Sequence, residues 1–121
     1  MALSKIPSAG FQDNVKFRNI IINGDMSIAQ RGTSATGLGN GDAGFHTVDR
    51  FAFRESGSPT YEFTQSQSTD VPSGQGFANS LKFDCTTAQA SLASSDYLIC
   101  DYSVEGQDLQ YLKFGTSSAE Y

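Results

Sequence analysis

Few side chains in this sequence could carry out covalent chemistry. There is one histidine, His46, and there are two cysteines, Cys85 and Cys100. A histidine-activated nucleophile needs His46 beside a thiol or a serine, and no strand-turn-helix nucleophile motif is present. His46 adjoins a glycine-rich stretch and reads as a surface or packing residue. Glycoside hydrolysis needs two carboxyl groups about 5 to 9 Å apart. Asp25, Asp49, Asp101 and Glu105 are the available pool, but carboxylates on β-surfaces usually serve solubility, and there is no tryptophan to stack on a sugar. No catalytic residue is assigned, and the expectation is a protein that is not an enzyme.

Binding chemistry offers slightly more. "GLGNGDAG", Gly37 to Gly44, partly echoes a calcium-binding nonapeptide that works only as stacked repeats, and here it occurs once. Asp25 and Asp42 are the candidates for a structural calcium ligand. No zinc spacing exists, and the glycines do not join a strand to a helix as a phosphate cradle would. No cofactor is expected. Tyr61, Tyr97, Tyr102 and Tyr111 could stack on sugar rings, although an aromatic at strand spacing is more often core. Cys85 and Cys100 could face each other on paired strands; the simpler reading is two small buried hydrophobes.

The elements that must position these groups read as strands. "NIIINGDMSIAQRG" sets two apolar phrases around Asn23-Gly24, the strongest short-range hairpin signal, because both central residues of a type I′ turn need positive φ. Val15 to Ile22 and Asp25 to Arg31 would be its arms. Gly32 to Gly44 reads as a loop. "HTVDRFAFRE" and "TYEFTQSQ" flank "SGSP" as a second hairpin, with Phe51/Phe53 and Tyr61/Phe63 each at period two. "SLKFDC" is a strand with Leu81, Phe83 and Cys85 inward. Thr86 to Asp96 is a loop or a single helical turn, "YLICDYSVEG" a strand, and "LQYLKFG" a candidate last strand. Met1 to Asn14 has no periodic apolar pattern and reads as an extended arm. The expectation is an arm over 1–14 and an all-β, antiparallel, jelly-roll-like sandwich over 15–121.

Composition narrows the partners. The net charge is −5 and the eight Lys and Arg residues are scattered, which argues against nucleic acid and anionic membranes. No apolar run approaches the ~18 residues of a membrane span. "MALSKIPSAG" lacks the apolar core of a signal peptide.

"RNIIINGDMSIAQRGTS", the glycine-rich stretch and "HTVDRFAF", followed by "SLKFDCTTAQASLASSDYLICDYSVEGQDLQYLKFGTSSAE", resemble fibre proteins of tailed bacteriophages, particularly marine cyanophage-type ones. Phe45-His46 and Phe51 stand where that family tends to have Tyr and Trp, and Cys100 to Val104 replaces a run ending in "QRIEG". Such proteins continue past "GTSSAE" with further strands, so a sandwich ending at Tyr121 would be incomplete. The resemblance implies a virion fibre or decoration subunit, assembled in the host cytoplasm and attached through its N-terminal arm to other virion proteins. It further implies a homo-oligomer, most simply a trimer, whose β-domain meets a host-surface glycan. The alternative is a carbohydrate-binding module of a larger secreted or cell-surface enzyme.

Overall fold

The computed structural model describes residues 19–119. The expected arm, 1–14, and the first part of the expected strand from Val15 lie outside the described residues. Five strands follow in order: β1 (Ser34–Gly39), β2 (Phe51–Ser56), β3 (Glu62–Ser68), β4 (Ser80–Thr87) and β5 (Tyr97–Tyr102). All pairing is antiparallel, and the described residues contain no α-helix. The all-β, antiparallel class that the period-two patterning predicts is the one observed. The described chain divides into two compact units. One, Asn23–Ser103, holds every strand; the other takes in 19–22 and 104–119.

The strands form a three-stranded sheet, β1-β3-β4, and a two-stranded sheet, β2-β5. This corrects the expected hairpin between "HTVDRFAFRE" and "TYEFTQSQ". β2 and β3 enter different sheets, and the link between them crosses from one sheet to the other. Gly57 turns at φ +94° and Pro59 has no N–H to offer a ladder, so the link cannot extend either strand. The two sheets meet where Phe53 of β2 packs edge-on against Phe63 of β3, with ring centroids 4.9 Å apart. Those two residues and Leu38 form the buried cluster, with Ala35, Tyr61 and Phe83 packed against it.

The glycine-rich stretch also departs from expectation, because half of it is β1. Ala35 pairs with Gln65 and Leu38 with Phe63, so Thr36 and Gly37 together oppose one residue of β3. Gly37 takes φ +67° at this bulge. At Gly39, a Cβ would stand 2.6 Å from the Tyr61 carbonyl oxygen. Glycine here permits a bulge and a close backbone approach inside a strand.

Around Asn23-Gly24 a turn forms, closed by the Met26 N–H to the Asn23 carbonyl at 3.0 Å, but the hairpin does not. Residues 25–31 are irregular. Asn23, at φ +59°, uses its side chain as a clamp. Its Oδ1 accepts from the Ile28 N–H at 2.8 Å, and its Nδ2 donates to the carbonyls of Ile28 and Asp49, each at 2.9 Å. Asp49 donates its own N–H to the Ile28 carbonyl, accepts from the Gln30 N–H and pairs with Arg31 at 3.3 Å. The "INGD", "QRG" and "DRF" phrases are thus joined into one knot. Gln67 of β3 fastens it to the sheet by donating to the Met26 and Ser27 carbonyls. Beside it, buried Thr47 donates to the Oε1 of buried Gln65 at 2.9 Å.

In the second unit, Asp108–Leu112 forms a short 3₁₀ helix rather than the strand expected of "LQYLKFG". Lys113 ends it in the left-handed conformation, which a continuing strand could not accommodate.

Candidate functional site

A cavity of about 260 Å³ opens beside the hydrophobic cluster, where the two sheets part. Its walls come from Tyr61, Phe63, Phe83, Cys85, Leu92, Tyr97 and Leu98, with Glu62 and Asp96 as its charged members. Strand alternation explains the lining. Phe63 faces inward, and its partner across the ladder is Cys85; Gln65, also inward, has Phe83 as its partner. On the other sheet, Phe53 and Glu55 face inward opposite Cys100 and Leu98. The Tyr61 hydroxyl donates to the Tyr97 carbonyl at 3.4 Å, which ties the start of β3 to the start of β5. Burial, and then the negative charges of Glu55 and Asp96, push the Tyr61 phenol above its ordinary pKa.

A second, polar cavity of about 470 Å³ adjoins the first, sharing Leu92 and Asp96 with it. Gly57, Ser58, Gln89, Ser91, Ala93 and Ser95 complete its lining. The loop from Ala88 to Asp96, with no helical segment, is shaped from within. Asp96 Oδ2 accepts from the Ala93 N–H at 2.9 Å and from Gln89 Nε2 at 3.1 Å; its Oδ1 accepts from the Ser58 N–H at 3.4 Å. Gln89 Oε1 accepts from the Thr60 N–H at 2.8 Å, so the loop is moored to the β2–β3 link. Apolar and aromatic walls therefore stand next to hydroxyls, an amide and a carboxylate.

Of the four tyrosines singled out from the sequence, the fold brings Tyr61 and Tyr97 together in this groove. Tyr102 sits near the opposite end of β5 from Tyr97, tilted on Phe51 at 5.2 Å with the Arg50 guanidinium over its ring. Tyr111 belongs to the 3₁₀ helix of the other unit. The groove's own carboxylates, Glu62 and Asp96, were not among the sequence candidates. Asp96 carries no sequence signal beyond preceding a strand in a run of small residues.

The other candidates are dispersed. Asp25 accepts from the Ser27 hydroxyl at 3.1 Å, Asp49 belongs to the Asn23 knot, and Asp101 pairs with Arg54 at 3.0 Å. Glu105 accepts from Gln107 at 2.8 Å in the second unit. Asp42 stands 3.8 Å from His46 Nε2, and the His46 ring stacks on Phe53 at 5.0 Å. Among the described residues, no three His, Cys, Asp or Glu side chains converge as metal ligands would. Cys85 and Cys100 are both free thiols and both exposed, which corrects the reading of them as buried hydrophobes; the partial desolvation that remains at Cys100, and then Asp101, push its thiol upward. Each lies directly across the ladder from a core phenylalanine, Cys85 from Phe63 and Cys100 from Phe53.

No protein-family model, curated protein or solved structure matches this chain.

Proposed function

We propose that this chain is a non-enzymatic structural subunit of a tailed-phage particle, a fibre or decoration component that works as an oligomer and offers its β-domain to a host-surface glycan. The observation that carries the glycan step is the pair of adjoining cavities. A sugar ring has an apolar face and a rim of hydroxyls. Tyr61 and Tyr97 supply aromatic surface for the face, while Asp96, Gln89 and the serines of the neighbouring cavity supply acceptors and donors for the rim. At about 260 Å³ the apolar cavity lies just below the ~300–1,000 Å³ typical of drug-sized ligands, so it suits one ring rather than a chain. Single-ring contacts are weak, and repetition across subunits of a particle would give them strength. The virion role is supported by the ordered motif series from Asn19 to Gly115 that resembles phage fibre proteins.

Two measurements test the reading. Mass spectrometry of purified particles should find this chain, and its absence would defeat the virion role. Saturation-transfer NMR against a panel of host-envelope oligosaccharides should detect binding. Tyr97→Ala, which removes a half-exposed wall, should weaken that binding about tenfold, the ~1–3 kcal/mol carried by a stacked aromatic. Turnover of any glycan would defeat the non-enzymatic reading.

A further inference from the structure

We infer that the edge of β5 away from β2, over Tyr97 to Asp101, is the contact between two copies of this chain, paired antiparallel about Ile99. This rests on the assembly part of the proposed function and deepens it; it shares Tyr97 and Leu98 with the apolar cavity, while its tests turn on Ile99.

β5 pairs with β2 through all six residues without a register shift, and on its other side no strand is present among the described residues. Tyr97, Leu98 and Ile99 are 48%, 42% and 49% exposed, and Cys100 is exposed as well. Successive residues point to opposite faces, so apolar surface is open on both faces of the strand. Natural edge strands are guarded against pairing by lysines, prolines, bulges or inward charges. β4, one of the two edge strands of the other sheet, has such guards: exposed Lys82 and Asp84, and an irregular register between Glu62 and Phe63. β5 has none. Its single charge, Asp101, is held by Arg54 of its own sheet.

The occupant is identified by β5 itself. A two-fold axis perpendicular to the sheet pairs residue i with residue j of the same parity. With Ile99 on the axis, Ile99 opposes Ile99, Leu98 opposes Cys100 and Tyr97 opposes Asp101. Apolar groups meet apolar groups on both faces, and no carboxylate faces another. Moving the axis to Asp101 sets two carboxylates directly opposite, which is destabilising. Moving it to Cys100 sets each Asp101 against an isoleucine. The Ile99 register leaves the Arg54–Asp101 pairs intact and yields a continuous β2-β5-β5-β2 sheet. Five paired residues a side make a small interface, at the weak, transient end of the range.

Sedimentation velocity on the full chain at roughly 1 to 100 μM, the range in which a small interface is populated, should show a monomer–dimer equilibrium. Ile99→Glu should raise the dimer dissociation constant at least tenfold while leaving the circular dichroism spectrum unchanged. Within a subunit the new carboxylate faces Arg54, whereas across the axis it faces its own copy. In a Cys85→Ser, Cys100→Ser background, Ile99→Cys should cross-link to a dimer on mild oxidation and Arg54→Cys should not. A monomer throughout, a dimer indifferent to Ile99→Glu, or protection from exchange at every concentration of the β5 amides that face away from β2 would each overturn the inference. The last result would mean that another segment of the same chain covers the edge. None of these outcomes bears on whether the chain occurs in particles.

Discussion

Replacing Asn23 separates two accounts of the "INGD" phrase. As the first residue of a type I′ turn, Asn23 would owe its identity to positive φ, and Asn23→Gly would be nearly neutral, within about 0.5 kcal/mol. As a clamp, it contributes three side-chain hydrogen bonds of 2.8 to 2.9 Å. At about 0.7–1 kcal/mol each, their loss costs roughly 2–3 kcal/mol, and glycine returns about 1 kcal/mol by relieving the left-handed backbone. The net expectation for Asn23→Gly is a loss of about 1–2 kcal/mol. Asn23→Ala, which keeps the backbone strain, should lose about 2–4 kcal/mol. Asn23→Asp keeps the acceptor for the Ile28 N–H but turns an oxygen toward the Ile28 and Asp49 carbonyls. The facing carbonyls raise the folded pKa of the new carboxyl, so its penalty should shrink as pH falls through that raised value and be smallest below about pH 4, where the carboxyl is a donor. Urea unfolding followed by tyrosine fluorescence is the assay, since the chain has no tryptophan. With a slope of ~1–2 kcal/mol per molar, Asn23→Gly should lower the midpoint by about 1 M. An unchanged midpoint would refute the clamp.

Thr47→Val removes the hydroxyl that donates to Gln65 Oε1 inside the core, where Gln65 Nε2 already has no partner, and should cost about 1–3 kcal/mol; adding Gln65→Leu should recover most of that loss, read by the same urea titration. Gly39→Ala should destabilise by more than 1 kcal/mol, because its Cβ meets the Tyr61 carbonyl at φ +100°, and should also shift the Tyr61 ring resonances. Tyr61 holds its proton more tightly folded than unfolded. Its contribution to stability is therefore complete below pH 10.0 and is lost as pH rises through its higher folded value. The wild-type minus Tyr61→Phe absorbance titration should accordingly show a midpoint above 10.0.

Period two in Phe51/Phe53 and Tyr61/Phe63 was enough to read β2, β3 and an all-β fold, because alternation reports which side chains share a face. It does not report which strand lies alongside, and the assumed β2–β3 hairpin failed on that point. β1 was hidden because Gly37 and Gly39 look like loop residues until the bulge and the Tyr61 backbone that require them are in place. Asn23-Gly24 signalled a turn, but the partner that gives Asn23 its role, Asp49, is 26 residues away. In the groove, Tyr61 and Tyr97 were legible as aromatics of strand-like stretches. Asp96 and Gln89 were not, since their function comes from moorings to Ser58 and Thr60 that only the folded chain creates.

The pairing of β2 with β5 has a consequence for biosynthesis. Arg54 meets Asp101 across 47 residues, and the other sheet is built from chain on both sides of β2. Loop closure over that distance must precede any gain from the contacts it allows. During translation, β1, β3 and β4 can pair as soon as Thr87 has left the ribosome, but Phe53 has no second strand beside it until Tyr102 emerges. At ~5–20 residues per second that interval lasts about one to a few seconds, during which β2 is held by the Gly44 bridge and the Phe63 ring but lacks its partner strand. The two-stranded sheet is therefore completed only after the three-stranded one can have formed.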